Sequence, residues 1–180
     1  MKHIYIVRHC QATGQEPDAP LTAHGQQQAV QLASFFAETA VDSILSSPFE
    51  RAFRTVSPLA EKLGLKIVTD ERLAERVLTG QNHPNWREML RQTYDDLDLC
   101  YEGGESSHGA MERASSVVRE VLESEHIHTV IVSHGNLISL LLKHFDSRIG
   151  FPEWESLSNP DVYHLSFVGE QPTIERIWRE

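Results

Sequence analysis

The sequence of 180 residues has few cysteines, few basic residues and no long apolar run. Its two cysteines, Cys10 and Cys100, do not form a spacing typical of a disulfide framework or a zinc site, so we expect reduced thiols. The first ten residues, MKHIYIVRHC, contain an apolar run of only four residues, which is too short for a signal peptide or a membrane span. We therefore expect a cytoplasmic protein that does not bind membranes.

Basic residues are outnumbered by acidic residues, 16 to 26, and the formal net charge is −10. Because like charges repel at long range, this balance disfavours unspecific binding to nucleic acid and to anionic membranes. An anionic substrate must be bound by a local group of cations. The sequence also lacks repeats, low-complexity segments and a Pro/Gly/Ser-rich linker, so we expect residues 1–180 to form a single domain.

Several motifs of metal and nucleotide chemistry are absent from the sequence. It contains no HExxH, no Walker loop of the form GxxxxGK and no paired Asp/Gly signature for zinc or magnesium, so no cofactor is expected. The CxxxxxR loop of cysteine phosphatases is absent too. Its arginine position is Glu16 when counted from Cys10 and Ser106 when counted from Cys100.

Apolar residues recur with periods that predict alternating strands and helices. We expect strands over residues 3–7, 41–47, 65–69, 128–133, 162–168 and 173–179, and helices over residues 21–39, 48–64, 84–97, 107–125 and 134–145. Thr22 is expected to cap the first helix, and Pro58 to kink or break the second. The alternation predicts a three-layer α/β/α domain with a mainly parallel central sheet.

Arginine and histidine residues follow three of the predicted strands. Arg8 and His9 end the first strand, Ser133 and His134 lie between a buried strand and the next helix, and Arg51 lies in a first helical turn. A lone histidine is usually a surface residue, and such an arginine is usually solvated. Because ligands bind beyond the carboxyl ends of parallel strands, the repeated location indicates an anion site.

Six segments of the chain resemble motifs of one family, in the order expected for it. They are IYIVRHC, PLTAHGQQQA, ILSSPFERAFRT, DERLAERVLTG, GGES and VSHGN. The sequence is therefore similar to the histidine phosphatase superfamily, the phosphoglycerate mutase-like proteins with a catalytic RHG motif. The resemblance extends over nearly the whole chain and implies a phosphoglycerate mutase-like fold.

The resemblance implies that His9 is the nucleophile and forms a phosphohistidine. Two arginines can grip a phosphate bidentately, which fits Arg8 and Arg51. By the same resemblance His134 would stabilise the phosphoryl group during transfer. Gly135 follows it at a predicted helix N-terminus, where backbone N–H groups favour an anion, and is included in the expected phosphate site.

Glu75 is the expected general acid, again by resemblance to the family. It would protonate the leaving oxygen and later accept a proton from the attacking water. Glu71 is the nearest rival in DERLAER, where most acidic residues are expected to be solvated. Leu73 and Gly80 flank Glu75 as in the family's motif, which favours Glu75.

The sequence departs from the family at the residue after His9. Cys10 stands where the family has glycine, and Ala12 replaces a threonine. Cys10 either packs inward as a small apolar residue or, beside Arg8, forms a thiolate whose oxidation switches activity off. Gln11 is a candidate substrate contact, although a solvated loop position explains it equally well.

We expect a phosphoric monoester hydrolase of the histidine acid type. Its substrate would be a small phosphate monoester or a phosphoprotein, with Trp86 and its helix walling the site. The alternatives are phosphotransfer of the phosphoglycerate mutase type and a phosphate-binding or regulatory module without turnover. A mutase needs long closing segments that this compact chain lacks, and a decayed enzyme would be expected to have lost one of the site residues. The oligomeric state is not readable from the sequence.

Overall fold

A computed structural model describes residues 1–179 of the chain. Its strands are β1 Lys2–Arg8, β2 Ser43–Ser46, β3 Ile67–Thr69, β4 His128–Ser133, β5 Asp161–Phe167 and β6 Pro172–Arg176. Its helices are α1 Ala23–Phe35, α2 Glu50–Leu63, α3 Trp86–Asp95, α4 Ser107–Glu123, α5 Gly135–Phe145 and α6 Phe151–Ser156. A short 3₁₀ turn, Glu71–Leu73, follows β3.

The six strands form one sheet in the order β3-β2-β4-β1-β5-β6. The first four strands in this order are parallel, whereas β5 and β6 are each antiparallel to the preceding strand. Arg8 pairs with Ser133, and Ser46 pairs with Val132. The carboxyl ends of β1, β2 and β4 therefore meet at one edge of the sheet.

Two apolar cores lie on opposite faces of the sheet. Ile4 and Ile6 of β1 pack with residues of α3, α4 and α5, while Tyr5 and Val7 pack with residues of α1 and α2. Successive strand residues point to opposite faces, which explains how one strand supplies both cores. The result is the three-layer α/β/α fold expected from the sequence.

The second helix differs from its predicted form, because α2 runs from Glu50 to Leu63 and includes Pro58 without a break. A proline in a helix interior costs about 3 kcal/mol. Val56 and Leu59, next to the proline, are fully buried, and each contributes about 1.5–3 kcal/mol. Packing on the sheet therefore outweighs the cost of the proline. The helix ends at Gly64, which has a left-handed conformation with φ of 66°.

Several other element boundaries differ from the predictions, including that of β6, which ends at Arg176 rather than residue 179. The first helix ends at Phe35 rather than residue 39, and α6 was not predicted. The six residues of α6 are too few to produce a periodic apolar pattern. Thr22 caps α1 as expected, since its hydroxyl accepts the Gly25 N–H at 2.9 Å. Within residues 1–179 no helix combines the length and the apolar character needed to cross a membrane.

Candidate active site

The loops after three parallel strands are joined by backbone hydrogen bonds at the sheet edge. The His9 N–H donates to the Ser133 carbonyl at 3.2 Å, and the Ser47 N–H donates to the Val132 carbonyl at 2.9 Å. These bonds extend the sheet pairing by one residue beyond β1 and β2. They place the loop residues after β1, β2 and β4 side by side.

One ring nitrogen of His9 is protonated and the other is not. Its Nδ1 lies 2.7 Å from the Cys10 carbonyl oxygen, which can only accept, so Nδ1 carries the proton. Nε2 then holds the lone pair, and the Arg51 Nε–H donates to it at 3.3 Å. Burial, together with the positive charges of Arg51 and Arg8, lowers the pKa of His9 to about 4. The imidazole is neutral near pH 7, as a nucleophile must be.

Arg8 lies beside the start of α5. Its Nη1 donates to the Leu157 carbonyl at 3.1 Å, while its Nε is buried and has no hydrogen-bond partner within residues 1–179. Gly135 permits this position, because a Cβ atom there would lie 3.1 Å from the guanidinium. Burial lowers the pKa of Arg8, and the carboxylate of Glu75 partly offsets this effect. The unpartnered Nε is a donor that an anion can use.

Arg51 is almost fully buried in the first turn of α2. Its Nη1 donates to the carbonyls of Gln15 and Glu16 at 3.1 and 2.9 Å, and these bonds tie α2 to the loop after β1. Within residues 1–179 neither Arg51 nor Arg8 forms a salt bridge. The buried Arg51 and the half-buried Arg8, beside a neutral imidazole, form a site for a dianion.

His134 lies across from His9, and the centroids of the two rings are 5.1 Å apart. Its Nε2 is 2.8 Å from the Ser47 hydroxyl, and its Nδ1 is buried without a partner in the described part of the chain. Burial, with the nearby His9 and the two arginines, holds the pKa of His134 well below its usual value. A neutral His134 can donate one hydrogen bond to a phosphoryl oxygen.

Glu75 lies at the N-terminus of α5. Its Oε1 accepts the N–H groups of Arg76 and Leu137 at 2.7 and 2.9 Å, and its Oε2 accepts the Asn136 N–H at 3.1 Å. The carboxylate lines the same cavity as Arg51. The structure therefore brings Glu75 together with the arginines and histidines at the sheet edge. Glu71, the rival candidate, lies in the 3₁₀ turn and is exposed.

Arg113 and Arg76 hold the Glu75 loop in place and were missed by the sequence analysis. Arg113 Nη1 donates to the Ala74 carbonyl at 2.8 Å, and its Nη2 pairs with the Glu105 carboxylate at 2.6 Å. Arg76 is 6% exposed, and its Nη2 donates to the Glu105 carbonyl at 2.9 Å. The position of Arg76 directly after Glu75 was the one feature of the sequence that could have indicated its role. Arg113 lies within a regular helix and gives no such signal.

A cavity of about 640 Å³ opens beside Arg51 and Glu75. Its walls include the aromatic rings of Phe49 and Trp86, the aliphatic side chains of Val77 and Leu78, and the amide of Gln15. Trp86 thus lies where the sequence analysis placed it. The mixture of apolar and amide groups suits a small organic alcohol attached to the phosphate.

Two residues of the first loop take positions that bear on the earlier alternatives. Gln11 is exposed, its side-chain oxygen accepts the Thr22 hydroxyl at 2.8 Å, and it does not line the cavity. Its expected contact with substrate stays a prediction. Cys10 is fully buried against Leu21 and Ala29, and burial raises its pKa to about 12. The structure therefore favours inward packing of Cys10 over a reactive thiolate.

Within residues 1–179, no three or more His, Cys, Asp or Glu side chains are grouped so that they could hold a metal ion.

Comparisons with known proteins agree with the geometry. The family model described as the histidine phosphatase superfamily (branch 1) matches residues 4–179. The chain is 32% identical to the "putative phosphoserine phosphatase 2" of Hydrogenobacter thermophilus, over 97% of this chain and 94% of that protein. It is 31% identical to the "probable phosphoglycerate mutase GpmB" of Escherichia coli, over 86% of this chain and 78% of that one.

A solved structure is similar over the whole fold. The mycobacterial glucosyl-3-phosphoglycerate phosphatase in complex with inorganic phosphate is 26% identical and superposes with a TM-score of 0.78. The match covers 99% of this chain and 96% of that chain. The fold class and the reaction class expected from the sequence agree with these matches.

Proposed function

We propose that this chain, which belongs to the histidine phosphatase superfamily (branch 1) and is a phosphatase, hydrolyses small phosphate monoesters through a phosphohistidine on His9. One observation carries the proposal. The hydrogen bond between His9 Nδ1 and the Cys10 carbonyl leaves the Nε2 lone pair beside Arg51, a buried arginine without a salt bridge within residues 1–179.

In the first step, His9 Nε2 attacks the phosphorus atom as the bond to the leaving oxygen breaks. Arg8 and Arg51 neutralise the charge on the phosphoryl oxygens, and His134 donates a hydrogen bond to one of them. The negative charge of the bound phosphate favours the carboxylic acid form of Glu75 in the substrate complex, and this acid gives its proton to the leaving oxygen. The products of this step are a free alcohol, a phosphohistidine and a Glu75 carboxylate.

In the second step, water attacks the phosphohistidine. The Glu75 carboxylate accepts a proton from this water, the N–P bond breaks, and the electron pair returns to His9 Nε2. Inorganic phosphate is released and Glu75 is again a carboxylic acid. The residues supply the nucleophile, the acid and the charge, so we propose that the cycle needs no metal ion.

The cavity supports a small substrate rather than a phosphoprotein. His9 is only 6% exposed and bonds through Nε2 to Arg51. The cavity that Arg51 lines is walled by Phe49, Trp86 and the segment at residues 77–83. A residue on a protein surface would have difficulty reaching the buried Nε2. The relatives are named for phosphoserine and glucosyl-3-phosphoglycerate, so esters of these kinds are the first substrates to test.

Phosphate release from an aryl phosphate in the presence of a chelator tests the proposal. We expect wild-type turnover to survive chelation and the His9→Ala variant to lose it by at least about 1000-fold, because no other group can attack. His24→Ala, at an exposed position of α1, is the matched control and should keep wild-type activity. Turnover lost on chelation alone would contradict the metal-free cycle, and turnover in His9→Ala would contradict the nucleophile.

A mutase activity is the second candidate, favoured by the similarity to a probable phosphoglycerate mutase. It requires the intermediate to stay bound until the phosphoryl group returns to a second oxygen. Incubation with 3-phosphoglycerate distinguishes the two reactions. Release of inorganic phosphate without a positional isomer supports hydrolysis, and formation of the isomer supports the mutase.

The proposal also includes a cytoplasmic location, one domain over residues 1–180 and no binding to nucleic acid. The cytoplasmic location is supported by Cys10 and Cys100, which are both free thiols, and the lack of nucleic-acid binding by the net charge of −10. The single domain is supported by the lack of a Pro/Gly/Ser-rich linker in the sequence.

A further inference from the structure

Ser47 is a buried residue that the mechanism above does not use. It follows β2 directly, is fully buried, and is fixed by its N–H bond to the Val132 carbonyl. Its hydroxyl oxygen lies 2.8 Å from His134 Nε2 and accepts the Phe49 N–H at 3.2 Å. The hydroxyl therefore connects the loop after β2 with the histidine after β4.

The hydrogen atoms around this hydroxyl can be counted. A serine hydroxyl has one proton to donate and two lone pairs, and the Phe49 N–H occupies one of the lone pairs. His134 is neutral, so one ring nitrogen carries a proton and the other has a lone pair. Two arrangements are possible. Either Ser47 donates to Nε2 and the proton is on Nδ1, or Nε2 donates to Ser47.

The second arrangement leaves the hydroxyl proton of Ser47 without an acceptor. Within residues 1–179 the Ser47 hydroxyl has only two partners, Phe49 N and His134 Nε2, and Ser47 is shielded from water. A buried donor without an acceptor is unfavourable. The second arrangement also leaves the Nδ1 lone pair of His134 unpaired. In the first arrangement the Ser47 hydroxyl is fully paired, and of these groups only the His134 Nδ1–H lacks a partner within residues 1–179, so it is available to a bound group.

We propose that Ser47 is a positioning residue that fixes His134 as the tautomer protonated on Nδ1. Because Nε2 is held by Ser47, Nδ1 is the ring nitrogen left for a phosphoryl oxygen. With the proton there, His134 donates a hydrogen bond, whereas the other tautomer would direct a lone pair at the negative oxygens. This catalytic consequence rests on the proposed function, but the tautomer does not.

The two histidines then differ in what they offer to the phosphoryl group. Both carry the proton on Nδ1, His9 because of the Cys10 carbonyl and His134 because of Ser47. His9 offers the Nε2 lone pair that attacks, and His134 offers the Nδ1 proton that stabilises charge. A backbone carbonyl and a serine hydroxyl thus give two similar side chains opposite roles.

NMR of the ligand-free protein labelled with ¹⁵N-histidine tests the tautomer without any substrate. Long-range ¹H–¹⁵N correlations show which ring nitrogen is protonated, and the His134→Gln variant identifies the His134 signals by their loss. We expect protonated Nδ1 and bare Nε2 in the wild type. We expect the Ser47→Ala variant to gain the Nε2–H form and Ser46→Ala to keep the wild-type pattern. Ser46 is the matched control, because its equally buried hydroxyl donates to the Ser47 carbonyl.

Kinetics test the consequence for catalysis. We expect Ser47→Ala to lower kcat about 10- to 100-fold, less than the loss of a whole oxyanion donor, with KM within about twofold. Ser47→Thr, which keeps the hydroxyl, should recover most of the rate, and Ser46→Ala should stay near the wild type. A wild-type Nε2–H signal, or an unchanged kcat in Ser47→Ala, would overturn the proposal. If the wild type and all variants lack turnover while His134 carries its proton on Nδ1, the proposed function would be rejected. The proposed tautomer of His134 would still be supported.

Discussion

The imidazole of His9 is neutral in the folded protein because burial lowers its pKa from 6.5 to about 4. Between these pH values an unfolded chain binds a proton at this residue that the folded chain does not. The free energy of unfolding is therefore expected to fall as the pH falls from about 6.5 to about 4. The shift corresponds to roughly 3 kcal/mol at this residue.

Urea unfolding of the wild type and of His9→Gln, measured between pH 7.5 and 4, tests this linkage. The variant should lose less stability on acidification than the wild type, by roughly 3 kcal/mol. His24→Gln, at an exposed position of α1, should follow the wild-type curve. Parallel curves for the wild type and His9→Gln would show that His9 is not the group responsible.

The two thiols should react very differently with a thiol reagent. Cys10 is fully buried and burial raises its pKa to about 12, whereas Cys100 is exposed. We expect one fast-reacting thiol in the native protein and two in denaturant, and none in native Cys100→Ser. Hydrogen peroxide should leave phosphatase activity intact. Fast labelling of Cys10, with loss of activity, would instead support the hypothesis that oxidation of Cys10 switches activity off.

At the scale of elements, α4 holds the loop of Glu75, the proposed general acid, through one side chain. Arg113 bonds to the carbonyls of Arg72 and Ala74 and pairs with Glu105, and these contacts hold the loop that carries Glu75. Both partners of the ion pair are half-buried, so its loss costs more than that of an exposed pair. We therefore expect Arg113 to act on catalysis through Glu75, as a positioning residue.

We expect Arg113→Met to lower kcat about 10-fold and the free energy of unfolding by about 1–2 kcal/mol, since a displaced acid protonates poorly. Steady-state kinetics and urea unfolding measure the two effects. Arg119→Met is the matched control, because Arg119 lies on the same helix and forms an exposed pair with Glu112. Equal effects of the two variants would mean that Arg113 contributes only to helix stability.

At the scale of the whole molecule, the family and the α/β/α fold predicted from the sequence are confirmed. Arg8 and His134 each follow an apolar run that predicts a strand. Because parallel strands run in one direction, their carboxyl ends meet at one edge of the sheet, and this predicted the location of both residues. The contacts of Ser47 and Arg113 could not be predicted in this way. Each joins segments far apart in the chain, and neither pairing follows a period or a turn signal.

At the same scale, the net negative charge of the chain opposes the binding of a negatively charged substrate. A net charge of −10 repels anions, yet the site holds the buried Arg51 and the half-buried Arg8, and within residues 1–179 no carboxylate forms a salt bridge with either. Burial removes water from around these two cations. A phosphate ion should therefore bind to them and stabilise the native state. A ligand that binds only the folded chain stabilises it by an amount that rises with the logarithm of the ligand concentration relative to its dissociation constant.

A thermal shift with inorganic phosphate tests this conclusion. At a phosphate concentration of about 100 times the dissociation constant, the free energy of unfolding should rise by about 2.7 kcal/mol. For a chain of this length, this raises the Tm by roughly 5–10 °C. Sodium chloride at the same ionic strength should have little effect, and Arg51→Met should lose the shift. Arg148→Met is the matched control, since Arg148 pairs with Asp146 at the surface. A shift that survives in Arg51→Met would place phosphate outside the site, and the wild type without a shift would mean that the arginines do not form an anion site.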